Sequence, residues 1–324
     1  MLEKGKRGLP YLVQWPPMQH CKLPLVVFLH GIGERGAGEP GFDALVKKHG
    51  PWTEARTPGV AKASIPAPQC PFDKVWPAVC DKVVAFVQHI CATYQHRIDG
   101  QRITLTGLSI GGFGVFATAA AAPSMFAGLA VICGGFAESV STPAKNSLTL
   151  ADLRAAAANP SEHCIQAIQH IPVFLIHGDA DRCINSNLAK VAYSALCHAR
   201  GRRTGDLHGD TLKLLIPKGI DHRCWSVAYR SHSVVAWLLR RSRGERMRNA
   251  AVVLRRPASR TIAAVIAAAR SRRTSMVNRP KCPNCRARKH VQKHGSKSGK
   301  RWRCLKCKSE EREWTFTVRS EDSL

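Results

Sequence analysis

The sequence predicts an α/β fold: a mainly parallel β-sheet with helices on both faces, followed by a small basic appendage. Three observations lead there. Short apolar runs, rich in large and β-branched residues, recur at 23–30, 102–108, 126–133, 171–178 and 211–217. Strands buried between two helical layers have this composition. The segments between them include stretches with helical periodicity, and alternation at this spacing implies parallel neighbours. Beyond residue 240 the character changes. Residues 1–240 hold 25 Lys and Arg against 16 Asp and Glu, a net of +9, whereas 241–324 hold 24 against 6, a net of +18. Two-thirds of the +27 total lies in the last quarter of the chain. We therefore expect a large domain over 1–240, a basic flexible linker over 241–278 and a small domain over 279–324.

The first ten residues are basic but lack an apolar core, so no signal peptide is expected. No run of about 18 apolar residues is present, so no membrane span is expected either. The cytoplasm is the expected compartment. Nine cysteines (Cys21, Cys70, Cys80, Cys91, Cys133, Cys164, Cys183, Cys197, Cys224) are scattered through 1–240 without pairing rhythm. An odd number without an export signal reads as free, mostly buried thiols.

In chain order, Tyr11-Leu-Val-Gln-Trp alternates enough for an early strand. The buried run 23–30 ends in His30-Gly-Ile-Gly-Glu-Arg-Gly, whose three glycines let the backbone approach a ligand closely. Residues 61–69 read as a short strand closing in a proline-rich turn. Val79, Val83, Val84, Phe86, Val87 and Ile90 mark an amphipathic helix between Trp76 and about His96. Strand 102–108 then runs straight into Gly107-Leu-Ser-Ile-Gly111, a G-x-S-x-G turn. A serine on so sharp a strand-to-helix turn is strained, so the residues two positions away on each side must lack bulk. The helix that follows, Phe113 to about Ala121, aims free N–H groups at Ser109. After strand 126–133, residues 136–170 read as irregular or weakly helical. A helix is expected over 186–200 and a closing helix over 226–239.

Two later strands of the sheet each deliver a candidate partner for that serine. The run 171–178 leads to Asp179-Ala-Asp181, and 211–217 leads to Asp221-His222. Ser109, Asp181, His222 is the chain order of a serine-hydrolase triad with each member behind its own strand. The chemistry requires all three: imidazole takes the hydroxyl proton, and a carboxylate fixes its tautomer and stabilises the imidazolium. Asp181 is favoured over Asp179 because it stands one step further into the loop. Asp221 adjoins the base and points away from its far nitrogen. His30 and His177 end strands and are read as structural, while Trp225 either walls the pocket or packs. The glycine loop and the helix start would supply oxyanion donors, the amides of Ile32 (with Gly31 as an alternative) and Ile110. Each such donor is worth about 3–4 kcal/mol of transition-state stabilisation.

These residues resemble a known family. Leu23-Pro-Leu-Val-Val-Phe-Leu-His-Gly-Ile-Gly-Glu-Arg-Gly is similar to the entry strand and loop of α/β-hydrolases of the predicted-peptidase or phospholipase/carboxylesterase-like group. These are relatives of dienelactone hydrolases, feruloyl esterases and polyhydroxybutyrate depolymerases. The likeness continues at Ala67-Pro-Gln-Cys-Pro, through 102–114, at Ile132-Cys-Gly-Gly, His177-Gly-Asp-Ala-Asp and His222-Arg-Cys-Trp. It implies the α/β-hydrolase fold over roughly 10–240 and the same triad. One departure stands after the acid: family members usually have an apolar Val-Pro-type turn, and this chain has Arg182-Cys183-Ile184.

Cys282-Pro-Asn-Cys285 and Cys304-Leu-Lys-Cys307 are separated by 18 residues. Two such tight pairs complete a tetrahedron around zinc, with a hairpin between them. In so small a domain, metal binding would supply most of the folding free energy. The segment resembles the N-terminal zinc ribbon of insertion-sequence transposases. No transposase catalytic domain follows it, and Met276 stands where such a ribbon would begin by itself. The expected activity is therefore a serine hydrolase acting on a small-molecule carboxylic ester, without a cofactor for catalysis but with structural zinc in the ribbon. Alternatives are a serine peptidase, or a nucleic-acid-binding protein in which the hydrolase-like domain is a scaffold. The basic tail favours weak, salt-dependent phosphate contacts.

Overall fold

The five apolar runs lie side by side as strands of one parallel sheet. A computed structural model describes residues 2–16, 21–52, 62–137, 149–201, 210–230 and 234–244, and three short strands at 291–293, 301–304 and 315–317. The chain forms two units, Met1–Ala263 and Ala264–Leu324.

The first unit opens with a hairpin of β1 (Leu2–Arg7) and β2 (Leu9–Gln14), turned at Gly8 with φ +70°. Then follow β3 (Leu23–Leu29), α1 (Phe42–Val46), β4 (Ile65–Pro68), α2 (Cys80–Thr93), β5 (Ile98–Leu108) and α3 (Ile110–Ala121). The remainder is β6 (Gly128–Ile132), α4 (Leu150–Ala158), α5 (Glu162–Ile168), β7 (Val173–Ile176), α6 (Asn187–Ala199), β8 (Leu212–Leu215), α7 (Trp225–Arg230) and α8 (Val234–Leu239). The parallel sheet has the order β3-β5-β6-β7-β8, and an antiparallel trio has the order β1-β2-β4. The two meet at Ser64, whose carbonyl accepts from the Val26 amide at 2.9 Å and whose amide donates to the Pro24 carbonyl at 3.0 Å.

The structure departs from the sequence expectation in two places. Strand β1 is absent from that reading because Leu-Glu-Lys-Gly-Lys-Arg carries charges in place of an apolar face, a composition that suits a sheet edge. Within 136–170 two regular helices form. Thr149 and Asp152 close a capping box on α4, and the Ser161 hydroxyl accepts from the Cys164 amide at the start of α5. Over the expected closing helix the structure describes α7 and α8, and 231–233 between them lie outside the described residues.

Helix α3 is buried along most of its length, from Ile110 to Ala119, and packs against α2 and α5. On the other face Val26, Phe28, Ile132 and Ile176 meet Tyr229, Val234, Val235, Trp237 and Leu238. Register decides what reaches the rim of the sheet. Leu108 pairs with Ile132, Ile132 with Ile176 and Ile176 with Leu215. One step on, the amides of Ser109, Cys133 and His177 continue the ladder by donating to the carbonyls of Ile132, Ile176 and Leu215. Ser109, Cys133 and His177 therefore form one row at the C-terminal edge, where open α/β sheets hold their ligands.

Arg241, at the expected start of the linker, is buried over the Trp237 ring and paired with Asp210 at 2.6 Å. No helix among the described residues is long and apolar enough to cross a membrane. In the second unit β9 (Val291–Lys293), β10 (Arg301–Cys304) and β11 (Thr315–Thr317) form an antiparallel sheet in the order β11-β10-β9. The β9–β10 pairing falls where the hairpin between the two cysteine pairs is expected. Cys282, Cys285 and Cys307 lie outside the described residues, and of Cys304 only the backbone is described.

Candidate active site

At the end of β5 the chain reverses into α3 through one residue, Ser109, with φ 55° and ψ −121°. A non-glycine residue held there costs about 1–3 kcal/mol, and the surrounding packing must enforce it. The two flanking glycines show how. A Cβ on Gly111 would stand 2.1 Å from the Leu29 carbonyl oxygen and 2.7 Å from that of His30. One on Gly107 would stand 2.5 Å from the Gly111 carbonyl oxygen. Helix α3 thus lies directly on the backbone of β3. The turn locks when the Gly112 amide donates to the Ser109 carbonyl at 2.9 Å.

The loop after β8 carries His222 over this serine. Its Nε2 stands 3.0 Å from Ser109 Oγ, and its Nδ1 stands 2.8 Å from Asp181 Oδ2. A carboxylate only accepts, so Nδ1 bears the ring proton and Nε2 offers its lone pair to the serine hydroxyl. Trp225 meets the His222 ring edge to face at 5.6 Å and packs on His49 at 5.2 Å, so it walls the base.

Asp181 is where the site is most heavily built. Its Oδ1 accepts from the amides of Cys183 and Ile184, each at 2.8 Å. Its Oδ2 accepts from His222 and also from His177 Nε2 at 3.0 Å. Burial by itself pushes the Asp181 carboxyl up, but the donors from His177, His222 and the Ile184 amide outweigh it and hold it well below the usual carboxylate range. His177 is the residue that sequence reasoning missed. Read as structural at a strand end, it is fully buried and spans four residues to grip the acid. Its Nε2–H is shared with the Ile184 carbonyl at 2.7 Å, and two acceptors on one nitrogen fix the tautomer. The signal was the spacing within His177-Gly-Asp-Ala-Asp181.

The other candidates take separate places. Asp179 Oδ1 accepts from the Gly219 amide at 2.6 Å and shapes the turn. Asp221 is exposed and accepts from the Arg223 amide at 2.9 Å. Ile32 opens a short 3-10 turn, Ile32–Glu34, and Ile110 is the first residue of α3. The Gly31 amide instead faces the Glu34 carboxylate, whose pKa burial raises. His30 holds the loop from beneath: its Nδ1–H donates to the Gly31 carbonyl at 2.7 Å, and its Nε2 accepts from the Cys70 amide at 3.0 Å. Trp76 Nε1–H donates to the His30 carbonyl at 2.9 Å.

No protein-family model matches the chain, and no curated protein matches its sequence. Solved structures share its architecture. A thermostable esterase aligns with TM-score 0.54 at 22% identity over 75% of this chain, which spans 63% of that protein's length. Acetyl xylan esterase from Aspergillus awamori aligns with TM-score 0.55 at 14% identity, over 74% of this chain and 98% of that one. The fold is that of an α/β-hydrolase.

Two predictions follow from this geometry. Gly111→Ala places a methyl group against backbone that has no side-chain freedom to yield. Its urea unfolding midpoint should correspond to a loss of about 1–3 kcal/mol or more. The second concerns His30, which burial lowers from 6.5 to about 4. Between those values the unfolded chain holds the proton and the folded one does not. The stability present above pH 6.5 is therefore lost as pH falls through that window, by about 3 kcal/mol. Urea unfolding across the window should show this slope, and His30→Gln should flatten it.

Proposed function

We propose that the chain is a serine hydrolase that cleaves carboxylic esters through an acyl-enzyme on Ser109. One observation carries this reading: the unbroken hydrogen-bonded line from Ser109 Oγ through His222 to Asp181 Oδ2, on an elbow whose glycines have no other evident use. His222 Nε2 takes the Ser109 proton as Oγ attacks the ester carbonyl, and the ionised Asp181 stabilises the imidazolium. The amides of Ile32 and Ile110 receive the oxyanion, the second with the N-terminal end of α3 behind it. His222 then returns the proton to the leaving alcohol. A water, deprotonated by the same nitrogen, releases the acid. Both structural neighbours above are esterases by name, which supports an ester rather than a peptide. Amide cleavage demands stronger protonation of its leaving group, and among the described residues His222 bonds to no acid besides Asp181.

For the C-terminal segment we propose structural zinc held by Cys282, Cys285, Cys304 and Cys307, and weak nucleic-acid binding through the surrounding positive charge. The support is the cysteine spacing, the β9–β10 pairing between the two cysteine pairs, and the net +18 of residues 241–324.

Ser109→Ala should lower p-nitrophenyl acetate turnover by at least about three orders of magnitude and abolish fluorophosphonate labelling. Retained turnover or labelling would contradict the mechanism. For the ribbon, Cys282→Ser or a chelator should lower retention on immobilised DNA at low salt and leave esterase turnover unchanged. Retention indifferent to both would remove zinc from that reading.

A further inference from the structure

The turn after the acid, Arg182-Cys183-Ile184, brings a thiol to the site. Cys183 is exposed and free. Its Sγ, a carboxylate oxygen of Asp181 and a ring nitrogen of His222 all lie within 4.8 Å of one another. We propose that Cys183, Asp181 and His222 form a binding site for a thiophilic divalent cation of the zinc class, and that its occupation switches the hydrolase off. The site itself follows from side-chain positions; the switching rests on the esterase reading above.

Thiolate, imidazole and carboxylate are the donors such an ion takes, at about 2.0–2.3 Å, with a water completing the tetrahedron. Ligand atoms in that tetrahedron stand about 3.3–3.8 Å apart. The exposed Cys183 can swing its Sγ to that separation, while His222 Nδ1 and Asp181 Oδ2, 2.8 Å apart, open by about 0.5–1 Å through a small tilt of the partly exposed His222 ring. The carboxylate can serve without leaving its place. Asp181 Oδ1 keeps both backbone donors, and Oδ2 keeps His177 on one lone pair while turning the other, now shared with His222, toward the ion. The loop backbone is tethered from outside by the Arg154 guanidinium, which donates to the Cys183 carbonyl.

The inhibition follows from proton bookkeeping on one ring. Nδ1 is the His222 nitrogen that faces Asp181. When the ion bonds to Nδ1, the ring proton moves to Nε2, the thiol proton passes to solvent, and the aqua ion gives up water. No electron is transferred. A ring protonated at Nε2 donates to Ser109 Oγ and cannot accept from it. The general base is lost with no more than that small tilt of the ring.

The test uses the full chain with cadmium(II) as probe, comparing the wild type with Cys183→Ser. Cadmium should inhibit wild-type turnover of p-nitrophenyl acetate and block fluorophosphonate labelling of Ser109, both reversibly with a chelator. Cys183→Ser should keep metal-free turnover, need at least about tenfold more cadmium for half inhibition, and lose part of the ultraviolet thiolate-to-cadmium absorption. The cysteines of the C-terminal segment are common to both proteins and cancel in that difference. Equal inhibition of the two proteins, or labelling unaffected by cadmium, overturns the switch. If the metal-free wild type has no esterase turnover, the esterase reading fails, and the absorption difference alone decides the site: present, it supports the site; absent, it overturns it.

Discussion

The contact of Gly111 with the carbonyls of Leu29 and His30 is the constraint on which the site depends. Because α3 has no side chain at that point, it lies directly on β3, and the chain leaving β5 has room for one residue in which to reverse. That residue takes a left-handed conformation and lifts its side chain above the sheet. Every other part of the site arrives relative to this fixed point. The register of four parallel strands places His177 in the same row as Ser109, and the loops after β7 and β8 close over them from one direction.

The second organising feature is the crowding around a single carboxylate. Four donors converge on Asp181: two backbone amides on one oxygen, two imidazoles on the other. The amides come from Cys183 and Ile184, so the loop folds around its own acid. A fully buried His177 then prevents that acid from rotating, since its Nε2–H is bound to both Asp181 and the Ile184 carbonyl. The orientation of His222 is thus set by a carboxylate that is itself held on both oxygens.

Much of this was legible in the sequence because strands buried on both faces have a conspicuous composition. The runs at 23–30, 102–108, 126–133, 171–178 and 211–217 correspond to β3, β5, β6, β7 and β8, and the glycine spacing around Ser109 has a direct steric cause. What was not legible has equally specific reasons. Strand β1 is charged and carries no apolar run, and its pairing is with β2. Helices α4 and α5 are short, and capping by Thr149 and Ser161 defines them more than apolar periodicity does. The part played by His177 needed three-dimensional register: sequence shows a histidine four residues before an acid, but not that the loop bends back to join them. Cys183 likewise stands out in the sequence only as a departure, and its nearness to His222 depends on a loop from a different strand.

The junction at Ser64 has a consequence for how the molecule loosens. The antiparallel trio β1-β2-β4 is fastened to the parallel sheet at both ends of β3. Ser64 bonds to Pro24 and Val26 near its start, and just past β4 the Cys70 amide donates to His30 Nε2 and the Gln69 side chain to the Glu34 carbonyl. Apolar side chains of β2 and β4, among them Leu12, Ile65 and Ala67, share a core with Val26 and Phe28. Loosening of the amino-terminal border therefore draws on the glycine loop beside Ser109 as well.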